Sequence, residues 1–315
     1  MLHWMLYQLS QLVPTQRLTI LIYHQVLAEP DPLFPEQMHA HRFKQHMALL
    51  QRYFSPLPLS EAVQRLKQGC LPKTAVAVTF DDGYLNNLEI ALPILKQYQI
   101  PATCFIATGF ADGSCMWNDI VNNTVRDCDL ATLNLYAFND VLISPLPSSD
   151  RPALAQSLIK AIKYLPPDVR LQRAKQFATD NHYQPRRLMM QPDDWHKWQA
   201  AGMEIGAHTV RHPILASLDS EHARAEINLS REQLLNSGIR LTGFAYPNGR
   251  FGKDFTERDV ELVKQAGFDF AVSTNPGSNN RKQDCFRLKR FTPWDRSMLR
   301  FHIRLLQQHF IGHLT

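Results

Sequence analysis

Among the five cysteines, Cys70, Cys104, Cys115, Cys128 and Cys285, there is no C-x-x-C pair, and their odd number leaves one without a mate. That argues against a disulfide framework or a zinc knuckle, and it fits a reducing compartment in which most are small core residues. The chain also lacks a dense basic run. Its Lys and Arg are scattered and the formal charge is only +5, so nucleic-acid binding has little support. Internal repeats and low-complexity tracts are absent. At the start there is no Lys/Arg cluster, no small-residue cleavage site and no long unbroken apolar run. Over residues 1–13, Leu2, Met5, Leu6, Leu9 and Leu12 recur at helical spacing, broken by Gln8, Ser10 and Gln11. The expectation is an amphipathic helix, packed on the body or lying at a membrane surface, and not a signal peptide or a spanning segment.

What is present describes a globular chain: 315 residues, 44% hydrophobic and 20% charged, long enough for one α/β barrel or two ordinary domains. Strand-like runs alternate with helical patterns, the mark of an α/β fold with parallel strands. Strands are expected at 18–23, 75–80, 102–107, 203–207, 242–246, 268–273 and 286–290. Helices are expected at 43–54, near 87–98, at 193–201, 220–236 and 256–266, with Ser60 capping another and Ser297 capping the last. Between about residues 112 and 188 the pattern turns mostly helical, with loops marked by Pro145, Pro147, Pro152, Pro166 and Pro167. It reads as an insertion between two strands of the main fold.

Chemistry concentrates at the predicted strand ends. Val76-Ala77-Val78-Thr79-Phe80 runs into Asp81-Asp82-Gly83, which delivers two carboxylates to one rim of a sheet. One acid there can hold a metal while its neighbour moves a proton, although Asp-Gly is also a common turn former. His208 and His212 follow another strand four residues apart, so on a helical turn both imidazoles face one way. Two histidines and one carboxylate make a three-ligand site that leaves room for water and substrate. Tyr246-Pro247-Asn248-Gly249 can aim a backbone N–H into the strand-end cleft as an oxyanion donor, or be a plain turn. His24, ending the first strand, can serve as a general acid or be structural. All these positions share the rim on which α/β barrels build active sites.

Thr79-Phe80-Asp81-Asp82-Gly83, His208-Thr209-Val210-Arg211-His212-Pro213 and Phe244-Ala245-Tyr246-Pro247-Asn248-Gly249 resemble the motifs of the polysaccharide deacetylase family, the NodB-homology or carbohydrate esterase family 4 group. The resemblance covers most of the chain outside the helical insertion. It implies a distorted (β/α)7-type barrel, one catalytic domain over residues 1–315, that removes N-acetyl groups from a hexosamine-containing glycan. By the same resemblance Asp82, His208 and His212 hold a divalent metal, usually zinc, Asp81 is the general base, and the Asn248 N–H helps to hold the oxyanion.

Two departures stand out. The family commonly has an arginine two residues before the proline of the third motif, where this chain has Ala245; Arg290 is the candidate to orient the base instead. The general-acid candidate His24 comes early, not late. An early Tyr23-His24, Met116-Trp117-Asn118-Asp119 in the insertion and a closing Arg290-Phe291-Thr292-Pro293-Trp294-Asp295 resemble the bacterial exopolysaccharide-biosynthesis branch. That implies a cytoplasmic protein, or one peripheral to the inner face of the inner membrane through residues 1–13, acting on an N-acetylated glycan or a lipid-linked saccharide. Trp117, Tyr246 and Trp294 can stack on sugar faces or be buried anchors. Two alternatives are a hydrolase of a small cyclic amide and a carbohydrate-binding relative without turnover.

Overall fold

The structure is a computed structural model in which residues 16–141 and 150–311 are described. The expected helix over residues 1–13, with its membrane contact, lies outside them, as do Pro145 and Pro147. The strands are β1 (Thr19–Tyr23), β2 (Ser55–Pro56), β3 (Ala75–Phe80), β4 (Ala102–Ile106), β5 (Glu204–Ala207), β6 (Leu241–Ala245), β7 (Ala271–Pro276) and β8 (Leu288–Arg290). They pair in parallel in the order β1-β3-β4-β5-β6-β7-β8, with β2 a short addition on β3. Just past β8, Phe291 donates its N–H to Ile20 O at 2.7 Å and accepts from Ile22 N at 3.1 Å. Seven strands therefore form a nearly closed barrel, the fold class expected.

Continuous apolar runs make these strands because each is covered on both faces. Every residue of β3 is buried. Leu21, Tyr23, Val76, Val78 and Phe80 share a cluster with Phe43 and Met47 of α1 (Ala40–Tyr53). The alternate set, Ile20, Ala77, Phe105, Ala245, Phe270, Val272 and Leu288, shares another with Leu59, Ala62, Val63 and Leu66 of α2 (Leu59–Gln68). Gly206 and Gly243 admit the rings of Phe105 and Phe270, which a Cβ at either glycine would strike. The expected Ser60 cap is displaced by Pro58, which occupies the N-cap of α2. Ser60 instead donates its hydroxyl to Glu204 at the start of β5, which also accepts from Thr103 Oγ1 at 2.7 Å.

A π-helical turn at Asn87–Ala91 leads into α3 (Leu92–Gln97). Pro93 lacks the N–H that a regular α-helical ladder would need there. Between β4 and β5 come α4 (Trp117–Asp127), α5 (Arg151–Ile162) and α6 (Pro167–Asp180), packed on their own core around Phe138, Phe177, Leu158 and Val125. After them follow α7 (Pro192–Ala200), α8 (Ser220–Asn236), α9 (Glu257–Gln265) and α10 (Met298–Ile311). The β7 strand starts three residues later than its sequence suggests; just before it, Phe268 packs on Phe244 and Phe270 covers Gly243. Among the described residues no helix is long and apolar enough to cross a membrane.

Candidate active site

Parallel pairing sets the ends of β1, β3, β5, β6 and β8 at one rim. Asp81 N–H donates to Tyr23 O at 3.0 Å and His208 N–H to Ile106 O at 2.9 Å, so each strand end is held by its neighbour. Asp82 then departs from the strand with φ 76°. This left-handed conformation is unfavourable for a residue with a Cβ, and here it turns two adjacent carboxylates towards different partners.

Asp81 faces Arg290. Arg290 donates from Nη1 and Nη2 to the two oxygens of Asp81 at 2.7 and 2.6 Å, and both side chains are buried. Nε of Arg290 is fixed in turn by Ser273 O at 2.8 Å, and Nη1 also reaches Thr79 Oγ1 at 3.3 Å. Burial pushes the Asp81 carboxyl up, but the Arg290 charge and then His208 outweigh it and leave its pKa below the ordinary value. Arg290 thus reaches Asp81 from β8, whereas Ala245 on β6 offers no side-chain donor. Ala245 contributes its carbonyl instead, accepting His208 Nδ1–H at 2.7 Å.

That bond fixes the His208 tautomer, so its Nε2 lone pair points into the site. Nε2 of His208 and Nε2 of His212 stand 3.5 and 3.4 Å from Oδ1 of Asp82. This Oδ1 is buried and has no hydrogen-bond partner. One ligand atom from each of the three residues lies within 4.8 Å of the others. Lone pairs converging around a carboxylate oxygen repel unless a proton or a metal cation sits between them, and two imidazoles with a carboxylate are donors suited to zinc. Burial raises the Asp82 pKa, yet the His212 charge and its neighbours hold it well below the usual carboxylate range. His208 is raised, because Asp81 and Asp82 outweigh the lowering by burial, whereas burial dominates at His212 and pushes it down to about 4.

The two histidines do not share a helical turn, contrary to the reading of their spacing. Thr209 (φ 63°) and His212 (φ 53°) are left-handed, and the segment is a compact loop that brings the rings to 4.8 Å between centroids. Glu226 of α8 holds this loop. Its carboxylate accepts from the N–H groups of Val210 and Arg211 and from Arg211 Nε, each at 2.9 Å. Arg211 Nη1 continues to Asp168 of α6 at 3.0 Å. Glu226 was not among the residues the motifs single out, yet a signal exists. It lies on the buried stripe Ala223, Glu226, Ile227, Ser230 and Leu234, where a carboxylate needs partners.

His24, Asp81, Asp82, His208, His212, Asn248 and Trp117 line one cavity of about 270 Å³. Asn248 (φ 58°) is pinned there through its carbonyl, which accepts Thr274 Oγ1 at 2.6 Å. A second cavity of about 320 Å³ shares His24, Asp82 and Asn118 with the first and extends to Trp294. Trp294 is 59% exposed with the Arg304 guanidinium 4.2 Å from its ring centre, and Trp117 is half-buried beneath Arg170 at 4.7 Å. Tyr246 is a correction. It is fully buried, stacked on Phe255 at 3.7 Å, with its hydroxyl donating to Phe286 O at 3.0 Å, so it anchors the core and offers no face to a sugar.

Residues 68–132 and 170–271, more than half of the chain, match the family model described as polysaccharide deacetylase. A Bacillus subtilis (strain 168) protein provisionally named polysaccharide deacetylase YxkH is 21% identical over 277 residues, covering 87% of this chain and 70% of its own length. A shorter stretch of 53 residues is 49% identical to the poly-beta-1,6-N-acetyl-D-glucosamine N-deacetylase of Staphylococcus aureus (strain MSSA476), 17% of this chain and 18% of that one. Among solved structures, the Streptococcus pyogenes deacetylase PplD in complex with acetate superposes with TM-score 0.62 at 18% identity, covering 93% of this chain and 98% of that one. IcaB from Ammonifex degensii gives TM-score 0.60 at 18% identity, covering 93% and 97%. These two likenesses speak to the fold.

Proposed function

The chain belongs to the polysaccharide deacetylase family, and we propose that it is a metal-dependent hydrolase of N-acetyl groups on a hexosamine-containing poly- or oligosaccharide in bacterial exopolysaccharide biosynthesis. The observation that carries this reading is the pairing of Asp82, His208 and His212 around one orphaned oxygen, with Asp81 gripped by Arg290 next to it.

Asp82, His208 and His212 would hold a divalent ion, with zinc the best match to the donors. When bound, that ion supplies Lewis acidity, polarising the acetyl carbonyl and making water acidic enough to attack near neutral pH. Asp81 takes the proton from the attacking water. Arg290 keeps that carboxylate charged and aimed, and is a positioning residue. His24, exposed on the cavity wall, returns a proton to the departing amine. The Asn248 N–H, beside them, donates to the oxyanion. Trp117 and Trp294 offer rings to neighbouring sugars. Two cavities joined at His24, Asp82 and Asn118 suit an extended saccharide better than a small cyclic amide. We assign the described residues to one catalytic unit in which the helical segment forms a wall of the cleft. A glycan polymer or a lipid-linked saccharide at the inner membrane face is the substrate form this reading takes.

The test is acetate release from N-acetylglucosamine oligomers by zinc-loaded protein. Asp81→Asn should reduce it at least about 10³-fold, the scale of removing a general base together with its charge. Undiminished release in that variant, or no zinc retained under saturating conditions, would sink the assignment.

A further inference from the structure

The catalytic cavity has a cationic wall that acetyl hydrolysis leaves unused. It comes from the helical segment between β4 and β5. Lys163, at the end of α5, and Arg170, on α6, line the same 270 Å³ cavity as Asp82, His208 and His212. Arg170 is 4% exposed. Among the described residues, neither it nor Lys163 has a carboxylate partner. The contacts Arg170 does make are partial. Nη1 donates to Lys163 O at 3.0 Å, and the guanidinium lies 4.7 Å from the centre of the Trp117 ring. Nε is buried with no acceptor.

A guanidinium removed from water without a counter-charge is unfavourable. A helix C-terminus and an aromatic face offset only part of that. The two carboxylates in the cavity do not supply the rest. Asp81 has both oxygens on Arg290, and Asp82 faces the histidines. What this wall lacks is an oxyanion brought from outside.

Resting on the deacetylase reading, we propose that Lys163 and Arg170 bind a carboxylate or phosphate carried by the acetylated sugar or its neighbour, and so select an acidic saccharide over a neutral one. Arginine meets either group with paired donors, and lysine adds a mobile point charge. The barrel's strand ends supply the hydrolytic groups, while the inserted helices supply the choice of substrate.

The zinc-loaded full chain is titrated calorimetrically with an N-acetylglucosamine tetramer, with a tetrasaccharide alternating glucuronic acid and N-acetylglucosamine, and with N-acetylglucosamine and its 1-phosphate. Acetate release is measured in the same samples. At least one acidic probe should bind about tenfold or more tightly than its neutral counterpart. Which pair shows the gap identifies carboxylate or phosphate as the group recognised. Arg170→Gln and Lys163→Gln should each bring that ratio towards one. Equal affinity for acidic and neutral probes, or a preference that survives both substitutions, would overturn the proposal. Should Arg170→Gln fail to fold, Lys163→Gln, at a half-buried position, carries the same test. A preference without acetate release would defeat the deacetylase reading and leave the anion site standing; release without a preference would do the reverse.

Discussion

Arg290 and Asp81 illustrate how much of a site can hang on one side chain. Arg290→Lys keeps the charge and loses the two-pronged grip, because an ammonium cannot span both carboxylate oxygens while also reaching Ser273 O. Acetate release should fall about 10- to 100-fold, with a smaller change in KM, since the lost orientation acts on the reacting geometry. Arg290→Ala goes further and leaves a buried carboxylate alone, a change of about 3–5 kcal/mol that urea unfolding would read. A wild-type unfolding midpoint in Arg290→Ala would show that the pair is not holding the barrel. Tyr246→Phe tests the opposite kind of residue: it should lose about 1 kcal/mol through the missing bond to Phe286 O and leave acetate release unchanged. The sequence places both residues at strand ends and cannot rank them. Whether a strand-end side chain points into the barrel or beneath the helices depends on register, and register is set by neighbours far away in the chain.

At the scale of elements, the His208–His212 loop depends on a helix that contributes no ligand. Glu226 on α8 binds two successive N–H groups of the loop and its arginine. Glu226→Gln keeps the volume but weakens all three contacts, so zinc affinity should drop about 10- to 100-fold, the usual effect of disturbing the partners that orient metal ligands. Chelator competition measures it, with unfolding monitored in parallel. Unaltered affinity would show that the loop holds its shape without the helix. Spacing alone suggested a helical turn for these histidines, because four residues is the helical repeat. The left-handed φ angles at Thr209 and His212 come from tertiary hydrogen bonds, and no local propensity announces them in a threonine or a histidine. The helices fared better: Ser220–Asn236 agrees with its periodicity residue for residue, since its apolar stripe and its Asp219 cap are both local features.

At the scale of the whole molecule, two buried histidines outside the cavity linings contribute to the response to acid. His46, stacked on Phe301 and bonded to the Tyr23 hydroxyl, is pushed down by burial, then by Arg42, to about 3. His309, whose Nε2 accepts Thr74 N–H at 3.1 Å, is pushed down by burial, then by Arg17, to about 4. Unfolded imidazoles titrate near 6.5, so between about pH 6.5 and 4 the unfolded chain binds more protons than the folded one. The contribution of these two groups to stability therefore rises with pH through that window, by up to about 1.4 kcal/mol per pH unit for each group, and is level above it. Buried Asp119, pushed up to about 7 by desolvation, acts in the opposite sense. Between pH 7.5 and 4.5 the urea midpoint of His46→Gln should gain on that of the wild type, because the variant loses the His46 contribution. An identical slope in that variant would remove His46 as a cause.

The alternation of strands and helices made the barrel legible, while its closure was not, because it rests on contacts between segments far apart in the chain, Leu18 with Asn279 and the first strand with Phe291. Phe291 bridges the last strand to the first, directly after Arg290. That order has a consequence for a chain being synthesised from its N-terminus. By the time residue 245 has emerged, Asp82, His208 and His212 are present together with Glu226 and the Ala245 carbonyl that position them, yet the guanidinium that grips Asp81 is still forty-five positions away. A growing chain can therefore bring these three side chains together before Asp81 is held. Residues 290 and 291 then bring the grip on Asp81 and the bridge from the last strand to the first together, ahead of α10, whose Phe301 has still to stack on His46.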